Sequence, residues 1–163
     1  MPVALARGLA AGVAGTAVMT AAQVLPSKLQ SSSSDQEQPA GDAPQDPWAE
    51  APVPALVAKR IAEGLFHRQV SADRIPLLTN VMHWGYGTSW GALYGLLHRR
   101  PAERPLGSGL GFGLGVWVMS YVQLVPAGLY ELPWKYPPKD VAMEVGYHLA
   151  YGAGLSVAQR AVT

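Results

Sequence analysis

The sequence predicts an all-α membrane protein, and three observations carry that prediction: the scarcity of charge, the length of the charge-free runs, and the single polar loop that interrupts them. Of 163 residues only 14% are charged, where soluble domains average about 25%, and 49% are hydrophobic. The runs Gly8–Ser27, Ile75–His98, Pro105–Tyr130 and Val145–Gln159 contain no Asp, Glu, Lys or Arg. A helix rises about 1.5 Å per residue, so about 20 residues cross a ~30 Å hydrocarbon core. Only a helix satisfies every backbone group of a single segment inside lipid. The expectation is a polytopic membrane protein with four transmembrane helices at 5–25, 76–97, 107–129 and 140–159, arranged as two repeated helical hairpins. A net charge of +1 gives no basic face for nucleic acid, and the absence of cysteine excludes disulfides, Cys-ligated zinc and iron–sulfur clusters.

The first span, 5–25, carries Arg7 in its opening turn and is rich in Ala, Gly and Val. A competing reading treats residues 1–22 as a cleaved signal peptide, with Arg7 as the basic region and Thr20-Ala21-Ala22 as the cleavage site. The loop at 28–50 is rich in Ser, Gln, Pro and Asp, too polar to offset the entropy of ordering it, and is expected to be disordered. Over 54–67 the pattern changes. Val57, Ala58, Ile61, Ala62, Leu65 and Phe66 share one helical arc and Lys59, Arg60 and Glu63 the other, which reads as an amphipathic interfacial helix. The second span, 76–97, and the third, 107–129, are joined by a short loop holding Arg99, Arg100 and Arg104. The fourth, 140–159, reaches full length only by including Glu144. Arg7, the arginines of the short loop and Arg160 place both termini in the cytoplasm by the positive-inside rule.

An internal repeat unites these spans. Val18-Met19-Thr20-Ala21-Ala22-Gln23-Val24-Leu25-Pro26 aligns with Val118-Met119-Ser120-Tyr121-Val122-Gln123-Leu124-Val125-Pro126, with Val, Met, Gln and Pro recurring in place. His83-Trp84-Gly85-Tyr86-Gly87 is echoed by His148-Leu149-Ala150-Tyr151-Gly152 as a His-x-x-Tyr-Gly string, and Pro47-Trp48 by Pro133-Trp134. A duplicated hairpin accounts for all three, and it argues against the signal peptide, because a cleaved leader would have no reason to copy a mature span. The two strings, with Pro133-Trp134-Lys135-Tyr136-Pro137-Pro138, make the chain resemble small four-helix bacterial membrane proteins of unknown function, chiefly actinobacterial, and more distantly the YagU-like inner-membrane family. That resemblance implies a class of protein and no activity.

Glycines four apart, Gly8 and Gly12, then Gly87, Gly91 and Gly95, then Gly107, Gly111 and Gly115, form a glycine zipper that lets helix backbones approach closely. Packing within one chain is the first reading, and a homo-oligomer interface the second. His83 and His148 fall at similar depth on helices running the same way, about 10–12 Å from the outer surface by helical rise. Hydrogen bonding to neighbouring helices, with Thr20 and Ser120 at that level, competes with proton handling and with a bis-histidine haem. Tyr86 and Tyr151 need partners of their own. Gln23 and Gln123 occupy equivalent outer positions and either tie helices together or line a shared vestibule. Glu144, one turn before His148, is either a wet interfacial acid or part of a proton relay. Gly87-Thr88-Ser89-Trp90-Gly91 fits the G-x-S-x-G string, but a nucleophile elbow needs a strand-to-helix turn and this segment is mid-helix. Trp134, Tyr136 and the lysines beside them read as interfacial anchors.

The expected function is accordingly an integral membrane protein of structural or accessory-subunit type, with no enzyme activity and no cofactor. Its expected partners are the lipid bilayer and either a second copy or another membrane protein. A small-solute or proton-linked transporter module with His83, His148 and Glu144 lining a polar site is the alternative, and a bis-histidine haem protein the second.

Overall fold

The computed structural model describes residues 2–31, 46–98 and 105–162, and among these it is all-helical. Five α-helices follow in order: α1 Pro2–Ser31, α2 Val53–Gly64, α3 Ile75–Leu97, α4 Pro105–Leu124 and α5 Pro138–Ala161. Short 3-10 turns precede α3 at Ala72–Arg74 and α5 at Pro133–Lys135. Proline stands in the first turn of α2, α3, α4 and α5, where its missing N–H has no intrahelical partner to lose and its fixed φ suits the helix.

Two boundaries differ from the sequence expectation for physical reasons. α1 does not stop near residue 25 but runs to Ser31, because Pro26 removes one backbone hydrogen bond without ending the helix. α4 stops at Leu124, short of 129. There the Leu129 and Tyr130 amides both donate to the Leu124 carbonyl, at 2.9 and 3.2 Å, and Gly128 takes a φ of 65° in the turn. That left-handed conformation comes at little steric cost only to glycine. Positions 32–45 of the expected polar loop, and Arg99, Arg100 and Arg104, lie outside the described residues.

The chain forms two compact units, one of residues 1–29 and 86–163 and the other of 30–85. In the first, α1, the later part of α3, α4 and α5 pack as a bundle. A Cβ on Gly12 would stand 2.9 Å from Cα of Thr88 and 3.0 Å from Cα of Gly91, and a Cβ on Gly95 2.6 Å from Cα of Gly8. Side chains essentially never come that close to backbone, so α1 and α3 touch through glycine. The α4–α5 pair is built the same way from Gly109, Gly113 and Gly152, whose missing Cβ atoms would each strike the opposing backbone. Around these contacts sits a core of Ala11, Tyr94, Val116, Tyr151 and Leu155, with Met19, Tyr86, Trp90, Phe112 and Ala158 packed against it.

The large aliphatic residues lie elsewhere. Leu106, Leu110, Leu114, Val118 and Val122 make an exposed stripe along α4, while Leu5, Leu9, Val13 and Val18 are exposed on α1. The α4 stripe spans about 24 Å by helical rise. Among the described residues one helix, over Pro2–Leu25, is long and apolar enough to cross a membrane by length and composition alone. The other three expected spans fall short of that test. Their inward faces spend positions on Gly, Ser, Tyr, Trp and His, which dilute the apolar content of each helix.

The second unit contains α2, with Ala55 and Ala58 buried. Lys59 pairs with Glu63 at 2.7 Å and lies 5.4 Å from the Trp48 ring centroid. Ile61, Leu65 and Phe66 remain exposed.

Candidate functional site

Helical hydroxyls inside the bundle turn back on their own helices. Thr16 donates to the Gly12 carbonyl at 2.8 Å and Thr20 to the Thr16 carbonyl at 2.8 Å. Ser120 donates to the Trp117 carbonyl at 2.7 Å and Ser156 to the Ala153 carbonyl at 3.0 Å. Thr20 and Ser120, expected at the level of the histidines, each donate to a carbonyl of their own helix, the commonest way a hydroxyl is satisfied inside a helix.

One group of polar contacts that cross between helices gathers where α4 ends and α5 begins. Tyr121 on α4 donates its phenol to Glu144 Oε2 on α5 at 2.9 Å. Tyr130 and Tyr136, from the connecting segment, extend the cluster: the Tyr121 and Tyr130 rings lie 5.3 Å apart and those of Tyr130 and Tyr136 6.4 Å. The Glu131 amide donates to Tyr136 Oη at 2.9 Å, which ties the segment down. Burial, reinforced by the Glu144 carboxylate, Tyr136 and Tyr86, pushes the Tyr130 phenol up to about 12, so it stays neutral at physiological pH. Because that value is raised above the ordinary 10.0, the stability tied to the neutral phenol is complete below about pH 10 and is lost as pH rises toward 12.

His148 directs Nδ1 to the Glu144 carbonyl at 2.8 Å. A carbonyl can only accept, so Nδ1 carries the proton and Nε2 keeps its lone pair. Glu144 thus holds two side chains differently: its backbone carbonyl holds His148, the partner expected for it, and its carboxylate holds Tyr121, which was not expected. Tyr86 donates to Gln123 Oε1 at 3.3 Å, linking α3 to the end of α4. Tyr151 donates to the Gly87 carbonyl at 2.6 Å. Gln23 is half-buried on α1. His83 belongs to the other unit, where its ring meets that of Trp84 edge-on at 6.4 Å. Among the described residues no three His, Cys, Asp or Glu side chains gather as a metal site would require.

Tyr121 escaped the sequence reading, although a signal for it exists. In an antiparallel helix pair, stepping forward on one helix and back by the same amount on the other keeps residues opposed. From Gly113 opposite Gly152, eight residues on and eight back bring Tyr121 to Glu144, and four the other way bring Gly109 to Ser156. On α4 the close packing within the chain expected of Gly111 and Gly115 is made by Gly109 and Gly113 instead. Gly109 and Gly113 meet α5, whereas Gly111 and Gly115 look into open space.

The contact between Tyr121 and Glu144 is testable as an energy. Tyr121→Phe leaves a carboxylate facing apolar ring atoms and should destabilise by about 1–3 kcal/mol. Glu144→Gln keeps an acceptor and should cost less. A double-mutant cycle read by thermal unfolding in detergent should return a coupling above about 0.5 kcal/mol, and additivity would show that the pair does not interact.

Comparison of the chain with protein-family models, with curated proteins and with solved structures found no match in any of the three.

Proposed function

We propose that this is a four-span integral membrane protein of structural or accessory type, built from two related hairpins, with both termini in the cytoplasm of a bacterium. The observation that carries the reading is the inverted distribution of side chains in the bundle. Leu and Val point outward along α1 and α4, while Gly, Ala, Thr, Ser and Tyr meet inside. Water would select the opposite arrangement, since burying aliphatic side chains is the main drive to fold there. Lipid removes that drive and favours close backbone approach through small residues. The glycine contacts of α1 with α3 and of α4 with α5 support the hairpin repeat, and the resemblance to small bacterial inner-membrane proteins is in keeping with it.

The natural absence of cysteine makes the test clean. Single cysteines at Leu110 and Leu114 should resist a water-soluble maleimide in intact membranes, while one at Trp134, which is 74% exposed and sits in the α4–α5 connection, should react readily. Equal reactivity at all three positions would remove the membrane reading.

A second reading, a proton-linked or small-solute module, rests on one specific feature, the carboxylate of Glu144 held by Tyr121 within the bundle. An acid at such a position is retained at a cost and is a natural proton carrier. In that case Glu144→Gln abolishes proton-coupled flux in reconstituted vesicles while the protein still folds. Cysteines near Gln23 and Gln123 would then react from the aqueous side, and unreactive ones would exclude a hydrated path.

A further inference from the structure

At the opposite end of the bundle from Glu144, where α3 gives way to α4, stands a second polar cluster that the sequence reading did not isolate. The His98 ring stacks on Tyr94 with centroids 4.2 Å apart and planes inclined by 26°. Its Nδ1 lies 3.2 Å from the Tyr94 carbonyl, one helical turn back. That carbonyl can only accept, so the proton sits on Nδ1 and Nε2 presents its lone pair. Facing Nε2 at 2.8 Å is Ser108 Oγ, in the opening turns of α4. Tyr94 Oη in turn donates to Ser108 Oγ at 3.2 Å. Tyr94 is almost fully buried against Phe112, whereas Ser108 and His98 are each only partly covered.

We propose that Ser108 is a nucleophile, with His98 as its general base, and that the pair acts on carboxylic esters. The tautomer of the imidazole is fixed by the Tyr94 carbonyl, in the place where many hydrolases use a carboxylate. Stacking on Tyr94 fixes the plane of the ring, so Nε2 is aimed at the hydroxyl and little freedom is lost on reaching the transition state. Donation from Tyr94 Oη stabilises negative charge as it develops on Ser108 Oγ. The first turn of α4, whose amide groups have no intrahelical acceptor, lies beside the serine and can receive an oxyanion.

The chemistry balances without any cofactor. Ser108 Oγ adds to the ester carbonyl carbon as its proton passes to His98 Nε2. The bond from that carbon to the leaving alkoxy oxygen then breaks, and the departing alcohol takes the proton from Nε2, leaving the acyl group on Ser108. Water attacks the acyl carbon, giving its proton to Nε2. The C–O bond to Ser108 breaks, the acid leaves, and the serine regains its proton from the imidazole. The ester class rests on the membrane reading above. A dyad at the end of a lipid-embedded bundle meets amphiphiles whose ester group lies at the membrane surface, and acyl lipids are of that kind.

The test uses the full chain in mild detergent with a water-soluble fluorophosphonate and with p-nitrophenyl butyrate. Peptide mapping of the unaltered protein should locate the phosphonyl adduct on Ser108, so the first readout requires no variant to fold. Labelling should disappear in Ser108→Ala, and His98→Gln should slow it by about 100-fold or more, the range that general-base assistance supplies. Absence of an adduct on Ser108 in the parent chain, or labelling that proceeds at the same rate in His98→Gln, overturns the proposal. Adduct formation by a chain that fractionates with soluble protein would uphold the dyad and overturn the choice of lipid esters as substrate.

Discussion

Gly91→Leu should unfold the bundle or abolish its assembly. A Cβ at Gly91 runs into the Gly12 backbone and lies 2.6 Å from the Gly8 carbonyl oxygen, and no rotamer change relieves a clash with main chain. Overpacking in a close-packed interior costs about 1–3 kcal/mol when neighbours can yield, and more when they cannot, so the expected loss here is about 3 kcal/mol or above. Gly115→Leu is the matched control. It lies on α4 with nothing within 4 Å of its Cβ position, and its thermal midpoint in detergent should stay close to that of the parent. A Gly91→Leu protein that melts with the parent would mean that α1 and α3 do not approach through glycine.

Tyr151→Ala should cost nearly as much by the opposite route. The ring is 2% exposed and fills the space beside Gly15, where an added Cβ would sit 3.1 Å from Cδ2 of Tyr151. Its phenol reaches the Gly87 carbonyl at 2.6 Å, so one side chain of α5 contacts both α1 and α3. Truncating a buried aromatic costs about 3–5 kcal/mol through lost contacts and the cavity left behind. Tyr151→Phe keeps the ring and gives up only the hydrogen bond, about 1 kcal/mol. Measured midpoints should therefore rank parent, Phe, Ala, with the larger step between the last two. A larger step from parent to Phe would place the energy in the hydroxyl instead.

The helical class was legible because the charge-free runs are long and proline marks the start of each later helix. The α4 boundary was not legible. Apolar residues continue past Leu124, and only the turn at Gly128, with its two amides on one carbonyl, tells the chain where to stop. Among candidate site residues, Glu144 stood out by its isolation in an apolar segment, whereas its partner did not. Tyr121 looks like one more aromatic residue until the pairing of α4 with α5 is known. The same limit misdirected the zipper. Gly111 and Gly113 are indistinguishable as residues, and spacing alone shows that a stripe exists without showing which of two interleaved stripes meets a neighbour. His98 and Ser108 were missed because they lie on either side of a loop, and neither belongs to a recognisable string.

The self-satisfied hydroxyls of Thr16, Thr20, Ser120 and Ser156 bear on the order in which such a chain is made. Each of these groups finds its acceptor three or four residues back on the same helix, so none of them waits for another helix to arrive. If the chain spans a membrane as proposed above, a nascent segment of this kind would leave the insertion machinery one helix at a time and stay in lipid alone, since its hydroxyls impose no penalty for solitude. Docking then becomes a separate and later event governed by shape. Mutations in the glycines would be felt at assembly and would leave insertion untouched.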